Sequence, residues 1–430
     1  MSVADTEMAS GATLFRRRAR AGLLALVLIL LPALSVAGGL GIAPAVAILG
    51  IGVVLLGLVR TRGERGMGRE GLEPWFWALM AFVFWAILTS AWSRYPVPDG
   101  MDMLGSNPAK LIFGLVVYTA AVGGILHTLR AGIGPWLGHL ALAAFALTLG
   151  LTVVDIATDY SLTFALDPIQ AGEDPERRRG DAIMNVSHGL VVALLLLPAA
   201  VPAIWRATRA WSRPARVAAC ALAVVALALG SILSGLWVGL VGLAAVGAVT
   251  GAAWRWPRGG VIAIFALAAA AILLAPLYGG WLGGMSAEAK ASLPFSWEHR
   301  LYGWEHVVDR IGEAPLFGHG FDAVRTFDAT HVIRGHEMSL VSLHPHNAGL
   351  HIWAETGAVG AGLAIVALVF LARLSIDWSG GEPHRASVAA GVAAAVMVVA
   401  SVSYGVWQEW LWALVFLVAG LVPVYASVRG

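Results

Sequence analysis

The chain has 430 residues, of which 59% are hydrophobic and 13% charged, with a formal net charge of +2. Soluble domains carry roughly 25% charged residues, so the composition excludes an ordinary water-soluble fold and makes lipid the solvent. The small net charge indicates no nucleic-acid partner, and the single cysteine, Cys220, excludes a disulfide framework or a cysteine-only metal site.

A basic stretch, Arg16 to Arg20, precedes the first apolar run. It has the layout of a signal peptide, but the run continues through Gly39 and Gly41 into a second apolar segment without a clear small-residue cleavage site, so it reads as a retained first helix. A helix needs about 20 apolar residues to cross the hydrocarbon core. That ruler predicts spans at 21–37, 41–59, 74–91, 110–128, 136–156, 184–204, 217–233, 236–253, 260–281, 347–371, 387–404 and 409–427. The run 217–253 is too long for one crossing, so a hairpin is expected around Gly230–Gly235. The expected fold is an all-α polytopic membrane protein of about 12 transmembrane helices. Nine fill residues 1–281, a large loop containing short helices takes 282–345, and three fill 346–430.

With the N-terminus in the cytoplasm, every inside connection holds at least one arginine, as the positive-inside rule asks. Both termini are then cytoplasmic and the 282–345 loop lies outside. Two outer segments break the charge pattern: Arg177–Arg179 in the 157–183 loop, and the long loop itself. The compact arginine triplet opposes the topology signal and is therefore expected to have a task there.

Chemistry-bearing side chains are scarce in the spans. Eight of the twelve histidines fall between His299 and His351, among eight acids from Glu288 to Glu337, so this is the region equipped for acid–base work. Residues 296–312 read as an amphipathic helix, with Trp297, Leu301, Trp304, Val308 and Ile311 facing membrane or bundle. A glycine-flanked turn follows at Pro315–Phe321, in which His319 reads as a turn residue. A second short helix is expected near 321–330. Most tryptophans, including Trp297, Trp304, Trp407 and Trp410, read as interfacial belt residues. Glu355, two turns into the tenth span, is either functional or buried in protein.

The stretch His346-Asn347-Ala348-Gly349-Leu350, continuing to Gly357, resembles the signature of the O-antigen ligase and polymerase superfamily: a histidine, then Asn, Ser or Gln, a leucine three positions on, and a glycine seven after that. The string Arg300…Trp304…Ile311…Pro315-Leu316-Phe317-Gly318-His319-Gly320 resembles the periplasmic loop of the same family, and Arg179-Gly180…Asn185 resembles it more loosely. The Ser-Arg-Gly-like element often found in that family at a middle helix pair has no arginine here, the nearest stretch being Ser231–Trp237.

The resemblance implies a glycosyltransferase at the periplasmic face of a bacterial inner membrane, with no cofactor and no metal. Its donor would be a glycan on undecaprenyl diphosphate and its acceptor a hydroxyl, that of lipid A–core in a ligase. Arginine suits the departing diphosphate because it is always charged and binds phosphate through a planar fork. Arg300 is the first candidate, with Arg178 and Arg179 next and Arg334 behind them. Histidine suits the base, which selects His346; Asn347, His344 and Glu298 complete the substrate-binding candidates. Other readings stay open: an O-antigen or exopolysaccharide polymerase, a protein O-oligosaccharyltransferase, a polysaccharide flippase or transporter, and a hydrolase with a metal at the His-x-His pair His344 and His346. The transferase reading requires Arg300 and Arg179 to line a hollow shared with His346.

Overall fold

The computed structural model describes residues 3–58, 73–96, 100–130, 132, 135–166, 175–341 and 343–429. It is an all-α polytopic membrane protein. In chain order the helices are α1 (Val3–Val36), α2 (Ile42–Leu58), α3 (Pro74–Leu88), α4 (Asn107–Arg130), α5 (Pro135–Ala157), α6 (Ser161–Leu166), α7 (Pro175–Ala207), α8 (Arg213–Leu233), α9 (Trp237–Arg255), α10 (Pro257–Leu273), α11 (Ala275–Gly283), α12 (Ala287–Ala291), α13 (Phe295–Glu313), α14 (Ala348–Ser379), α15 (Pro383–Val402) and α16 (Glu409–Ala426). Among the described residues, 10 helices are long and apolar enough to cross a membrane, or 11 if the bent pair α10–α11 is one span; α2 is shorter. The hairpin expected inside 217–253 is present: α8 ends at Leu233, Gly235 takes φ +70°, and α9 starts at Trp237.

The chain forms two compact units. The first comprises Met1–Gly71, Phe113–Ala248 and Glu409–Gly430. Its centre is α7, whose residues Leu190 to Leu196 are all at most 1% exposed; an uninterrupted apolar run suits a helix covered on every side. Helices α1, α5, α8 and α16 pack around it.

The second unit comprises Leu72–Ile112 and Val249–Gln408. Here α14 is the axis, packed by α3, α10, α11, α13 and α15. Two of its helices depart from the expected straight spans. The predicted span 260–281 is broken into α10 and α11, bent by 63°. The cause is Pro276: it has no N–H for the carbonyl of Ile272, and its ring crowds that carbonyl. The freed Ile272 oxygen instead accepts the indole N–H of Trp353 at 2.8 Å.

The second break lies inside α14, where Gly357 takes φ +64°, ψ −166°, far from helical values. The loop strand Pro315–Gly320 is laid into this gap. His319 N–H donates to Ala354 O and Gly320 N–H to Glu355 O, while Ala358 N–H donates to Pro315 O and Val359 N–H to Leu316 O. Contact is too close for side chains on either backbone. A Cβ on Gly357 would stand 2.3 Å from Leu316 O, and one on Gly318 would stand 2.3 Å from the Glu355 carbonyl carbon.

Between α11 and α14 the long loop is ordered around α13. The face of α13 carrying Leu301, Trp304, Val307 and Ile311 is buried against Ala275, Val324, Phe327, Leu350 and Ala354. Its apolar stripe thus meets the bundle. The helix expected near 321–330 is instead a 3-10 turn, Ala323–Thr326, followed by the antiparallel hairpin of β1 (Thr330–Ile333) and β2 (His336–Ser339). Arg334 and Gly335 form its two-residue turn, with φ +51° and +86°. Positive φ at both central residues is the turn geometry that matches strand twist, and the helical reading of 321–330 missed it.

Candidate active site

The site builds up from α13. Arg300 and Trp304 are one helical turn apart, hence on one face. Trp304, expected at the membrane interface, is instead 3% exposed and donates its indole N–H to Pro345 O at 2.8 Å. This bond pins the residue before His346 to the helix that carries Arg300. Arg300 Nη1 donates to its own helix at Ser296 O (3.2 Å) and its guanidinium carbon lies 5.4 Å from the Trp297 ring centroid. Its Nε is buried without a partner, and among the described residues no carboxylate pairs with it. Burial lowers the Arg300 pKa, a cost that an anionic ligand would relieve.

His346 sits in the left-handed region, φ +53°, immediately before α14. Its Nδ1 is 2.5 Å from Ser403 O. A carbonyl only accepts, so Nδ1 carries the proton and Nε2 keeps the lone pair. No partner for Nε2 exists among the described residues. Burial first, and the Arg300 charge second, depress the His346 pKa from 6.5 to about 4. His344 accepts the His346 backbone N–H at Nδ1 (3.2 Å), and the two rings meet edge to face at 4.3 Å. Its Nε2 lies 3.2 Å from the Gln408 amide. Burial, reinforced by His346, His351, Arg300 and Arg325, holds His344 down at about 2, and its bond to the His346 N–H braces the turn.

The remaining candidates have other partners. Asn347 is the N-cap of α14: its Oδ1 accepts Leu350 N–H at 3.0 Å, its amide exchanges hydrogen bonds with the Tyr278 hydroxyl, and it is 2% exposed. Glu298, 4% exposed, holds Arg334 Nε at 2.7 Å, and Arg334 also donates to Ala291 O and Leu293 O. This pair fastens the β-hairpin to the start of α13. Arg178 and Arg179 belong to the first unit. There Arg179 pairs with Asp159 at 3.1 Å and Arg178 lies 4.2 Å over Phe164, with its Nε buried and unpartnered. The turn that presents Asp159 and Phe164 is fixed by buried Asp155, which accepts from Leu162 N–H, Thr163 N–H and the Thr163 hydroxyl. Arg177 lies outside the described side chains. Within the second unit, then, the helix of Arg300 is tied to the turn of His346 through Trp304 and Pro345, and Arg334 is engaged elsewhere.

Glu355, expected to be either functional or buried in protein, is the buried group behind His346. Glu355 is 0% exposed and draws three donors: Trp407 Nε1 at 2.5 Å, Val324 N–H at 3.1 Å and His351 Nε2 at 3.3 Å. His351 Nδ1 accepts from Val406 N–H, which leaves its Nε2–H for Glu355. Trp407 is thus a buried donor, 5% exposed, and not the belt residue expected. One carboxylate binds α14, the 3-10 turn and the 403–408 segment whose Ser403 carbonyl orients His346. The ionisable residue in an apolar run was the signal available for Glu355; the Ser403 carbonyl left none. His319, read as a turn residue, has its Nε2 2.6 Å from Arg310 O and so braces the end of α13.

Comparison with known proteins bears on the same region. Residues 222–365 match the family model described as O-antigen ligase, an interval that includes α13, the inlaid strand and the His346–Gly357 signature. Two curated relatives, provisionally named polysaccharide ligases, are from Rickettsia bellii and Rickettsia typhi. They are 31% and 30% identical over 128 residues, which is 28% of this chain and 31% of each of theirs. The chain thus spans about a third of the length of the curated relatives it matches. Both findings agree with the signature: over residues 222–365 the chain is similar to the O-antigen ligase family.

Proposed function

We propose that the protein transfers a glycan from undecaprenyl diphosphate to an acceptor hydroxyl at the outer face of the bacterial inner membrane, ligation of O-antigen to lipid A–core being the foremost case. The observation that carries this reading is the Trp304–Pro345 bond, which ties the helix carrying Arg300 to the turn carrying His346. The Arg300 guanidinium is desolvated and has no acid partner among the described residues, and the His346 Nδ1–H is held by Ser403 O, leaving Nε2 as base. The acceptor O–H gives its proton to Nε2 as its oxygen bonds to the anomeric carbon. The bond to the diphosphate oxygen breaks, and Arg300 stabilises the charge that gathers there. Attack opposite the leaving group inverts the anomeric centre.

The depressed basicity of His346 fits this order of events. Diphosphate binding at Arg300 offsets the positive charge that helps hold His346 down. The imidazole therefore gains basicity when donor is present, in the direction of the range where a base works best. Arg178 and Arg179 are the remaining candidates for donor contact; the Arg179–Asp159 salt bridge is exposed and exchangeable, in contrast with the Arg334–Glu298 tie.

The test is transfer in membranes supplied with lipid-linked glycan. His346→Ala and Arg300→Ala are expected to abolish transfer while the protein still folds and inserts, and Arg300→Lys to be nearly inactive because an ammonium cannot reproduce the fork. Normal rates in both alanine variants would sink the assignment. Cells lacking the protein separate ligase from polymerase: unattached polymer on its carrier marks the first, core bearing a single repeat the second.

A further inference from the structure

A cavity of about 190 Å³ in the second unit is used by none of the chemistry above. Its wall includes Ser90, Tyr95, Gly105, Asn107, Asp322 and Arg325. Pockets for drug-sized ligands measure roughly 300–1,000 Å³, so this one has room for a single ring.

Its polar groups are fixed but not saturated. Asn107 Nδ2 donates to both Asp322 oxygens at 3.0 and 2.9 Å, and Arg325 Nε stands 3.2 Å from Asp322 Oδ1. These contacts neutralise the acid and lock three side chains. They leave the Asn107 amide oxygen, the Arg325 Nη groups and the Tyr95 hydroxyl without partners among the described residues. Ser90 Oγ is buried and also without a partner. Buried polar atoms are ordinarily satisfied. The Tyr95 ring supplies an apolar wall, held with the Arg325 guanidinium carbon 5.4 Å from its centroid. Asp322 itself occupies a left-handed conformation, φ +58°, and Ser93 Oγ anchors Phe321 O at 2.7 Å, so the cavity floor is rigid.

Donors and acceptors interleaved, no net charge to spare, and one aromatic face match a neutral pyranose. A phosphate would meet the Asp322 carboxylate, and an apolar ligand would strand the serine and the amide. The cavity is also tied to the proposed chemistry. Phe321 contacts Trp407 (4.8 Å between centroids), Trp407 contacts His351 (5.9 Å), and His351 stacks on His344 beside His346 (6.4 Å). We propose that this cavity is a glycan subsite, holding one neutral sugar ring of the donor or acceptor away from the bond that reacts; the link to donor or acceptor rests on the transferase reading above.

The test is saturation-transfer NMR on the full chain in a sugar-free detergent, with the methyl glycosides of glucose, galactose and N-acetylglucosamine as probes. Gly105 offers a plug: it lines the cavity, a Cβ there meets nothing within 4 Å and its φ is unstrained, so Gly105→Phe is expected to place its ring in the cavity without disturbing the backbone. Wild type and His346→Ala are expected to bind at least one glycoside, Gly105→Phe to bind none, and Ser90→Ala to bind about three- to tenfold more weakly, the effect of one hydrogen bond. Absence of binding in wild type, or equal binding by Gly105→Phe, overturns the subsite. This readout needs no turnover, so it stands apart from any failure of His346 or Arg300 as catalytic residues. In the transfer assay, a KM raised by Gly105→Phe for the acceptor alone assigns the ring to the acceptor, and for the lipid-linked donor alone to the donor. Unchanged KM and kcat for both overturn the proposal.

Discussion

Arg300→Gln removes a guanidinium from beside His346 while keeping a planar, hydrogen-bonding head. In the intact site His346 titrates at about 4 against its ordinary 6.5, which disfavours the imidazolium by about 3 kcal/mol at ~1.4 kcal/mol per unit. Burial is the larger cause and survives the substitution. The variant's imidazole therefore settles between those two values. The neutral ring is the base, so kcat/KM follows the deprotonated fraction of the free protein. Wild type should hold its rate as pH falls through 6.5 and lose it only near 4; the acid limb of Arg300→Gln should begin at higher pH. On the plateau the variant should be slower by roughly 100- to 1,000-fold, the usual cost of one donor to developing negative charge. Stability moves with the same sign in wild type. The folded pKa is depressed, so the unfolded chain takes up the proton first, and stability is lost as pH falls from 6.5 toward 4. The assay is transfer from labelled lipid-linked glycan by protein in liposomes, across pH. Superimposable acid limbs for wild type and Arg300→Gln would refute the coupling.

Three other perturbations test the frame around the site. Gly357→Ala forces a side chain into a glycine-only conformation, at about 1–3 kcal/mol, and drives its Cβ to 2.3 Å from Leu316 O. A lowered Tm in detergent is expected, whereas Gly362→Ala, where a Cβ meets nothing within 4 Å, should leave Tm unchanged or raised. Glu355→Ala strands the indole of Trp407 and the amide of Val324, at about 1–3 kcal/mol for each unsatisfied group; Glu355→Gln keeps an acceptor and should melt higher than the alanine variant, and equal melting would remove the carboxylate from its structural role. Arg334→Met leaves Glu298 buried without its partner and should cost about 1–3 kcal/mol, discounted because Arg334 is half exposed; the folded fraction is expected to transfer at near wild-type rates, and loss of activity without loss of stability would return Arg334 to the candidates for binding the diphosphate.

The helical spans were legible because lipid imposes a single rule, a long apolar run with its backbone bonds internal. Even the turn at Gly235 followed from a length too great for one crossing. Departures came where a local rule was overridden by a distant partner. Pro276 announced the break of the ninth predicted span, yet the compensating Trp353 lies 77 positions on, and nothing local indicated that it would take the Ile272 carbonyl. The tryptophans misled for a related reason. An indole suits an interface because it is apolar with one donor, and the same property suits Trp304 and Trp407 to carry a single bond in a buried setting. In the loop, the helical stripe of α13 could be read, whereas the Arg334-Gly335 turn went unrecognised since arginine is an uncommon residue at positive φ. Of the site, His346 and Arg300 stood out by chemical type; Ser403, acting through its backbone, could not.

The signature from His346 to Gly357 has a physical reason at each position. His346 needs a left-handed φ to turn its ring toward Ser403 before the helix begins. Asn347 accepts the first free N–H of that helix. Leu350, 0% exposed, sits in the cluster that receives Trp304, and so seats α13. Gly357 opens the helix, freeing the carbonyls of Ala354 and Glu355 for His319 and Gly320, and that of Thr356 for the indole of Trp85. Those bonds lock the end of α13's connection onto α14. The far-off glycine thus acts through the helix it anchors: α13 is held at its N-terminal half by Leu350 and at its exit by the Gly357 gap, which fixes the helix of Arg300 relative to the turn of His346. A base and a cation supplied by separate elements need such a double clamp, because a displacement of about 1 Å between them is enough to cost two orders of magnitude in rate.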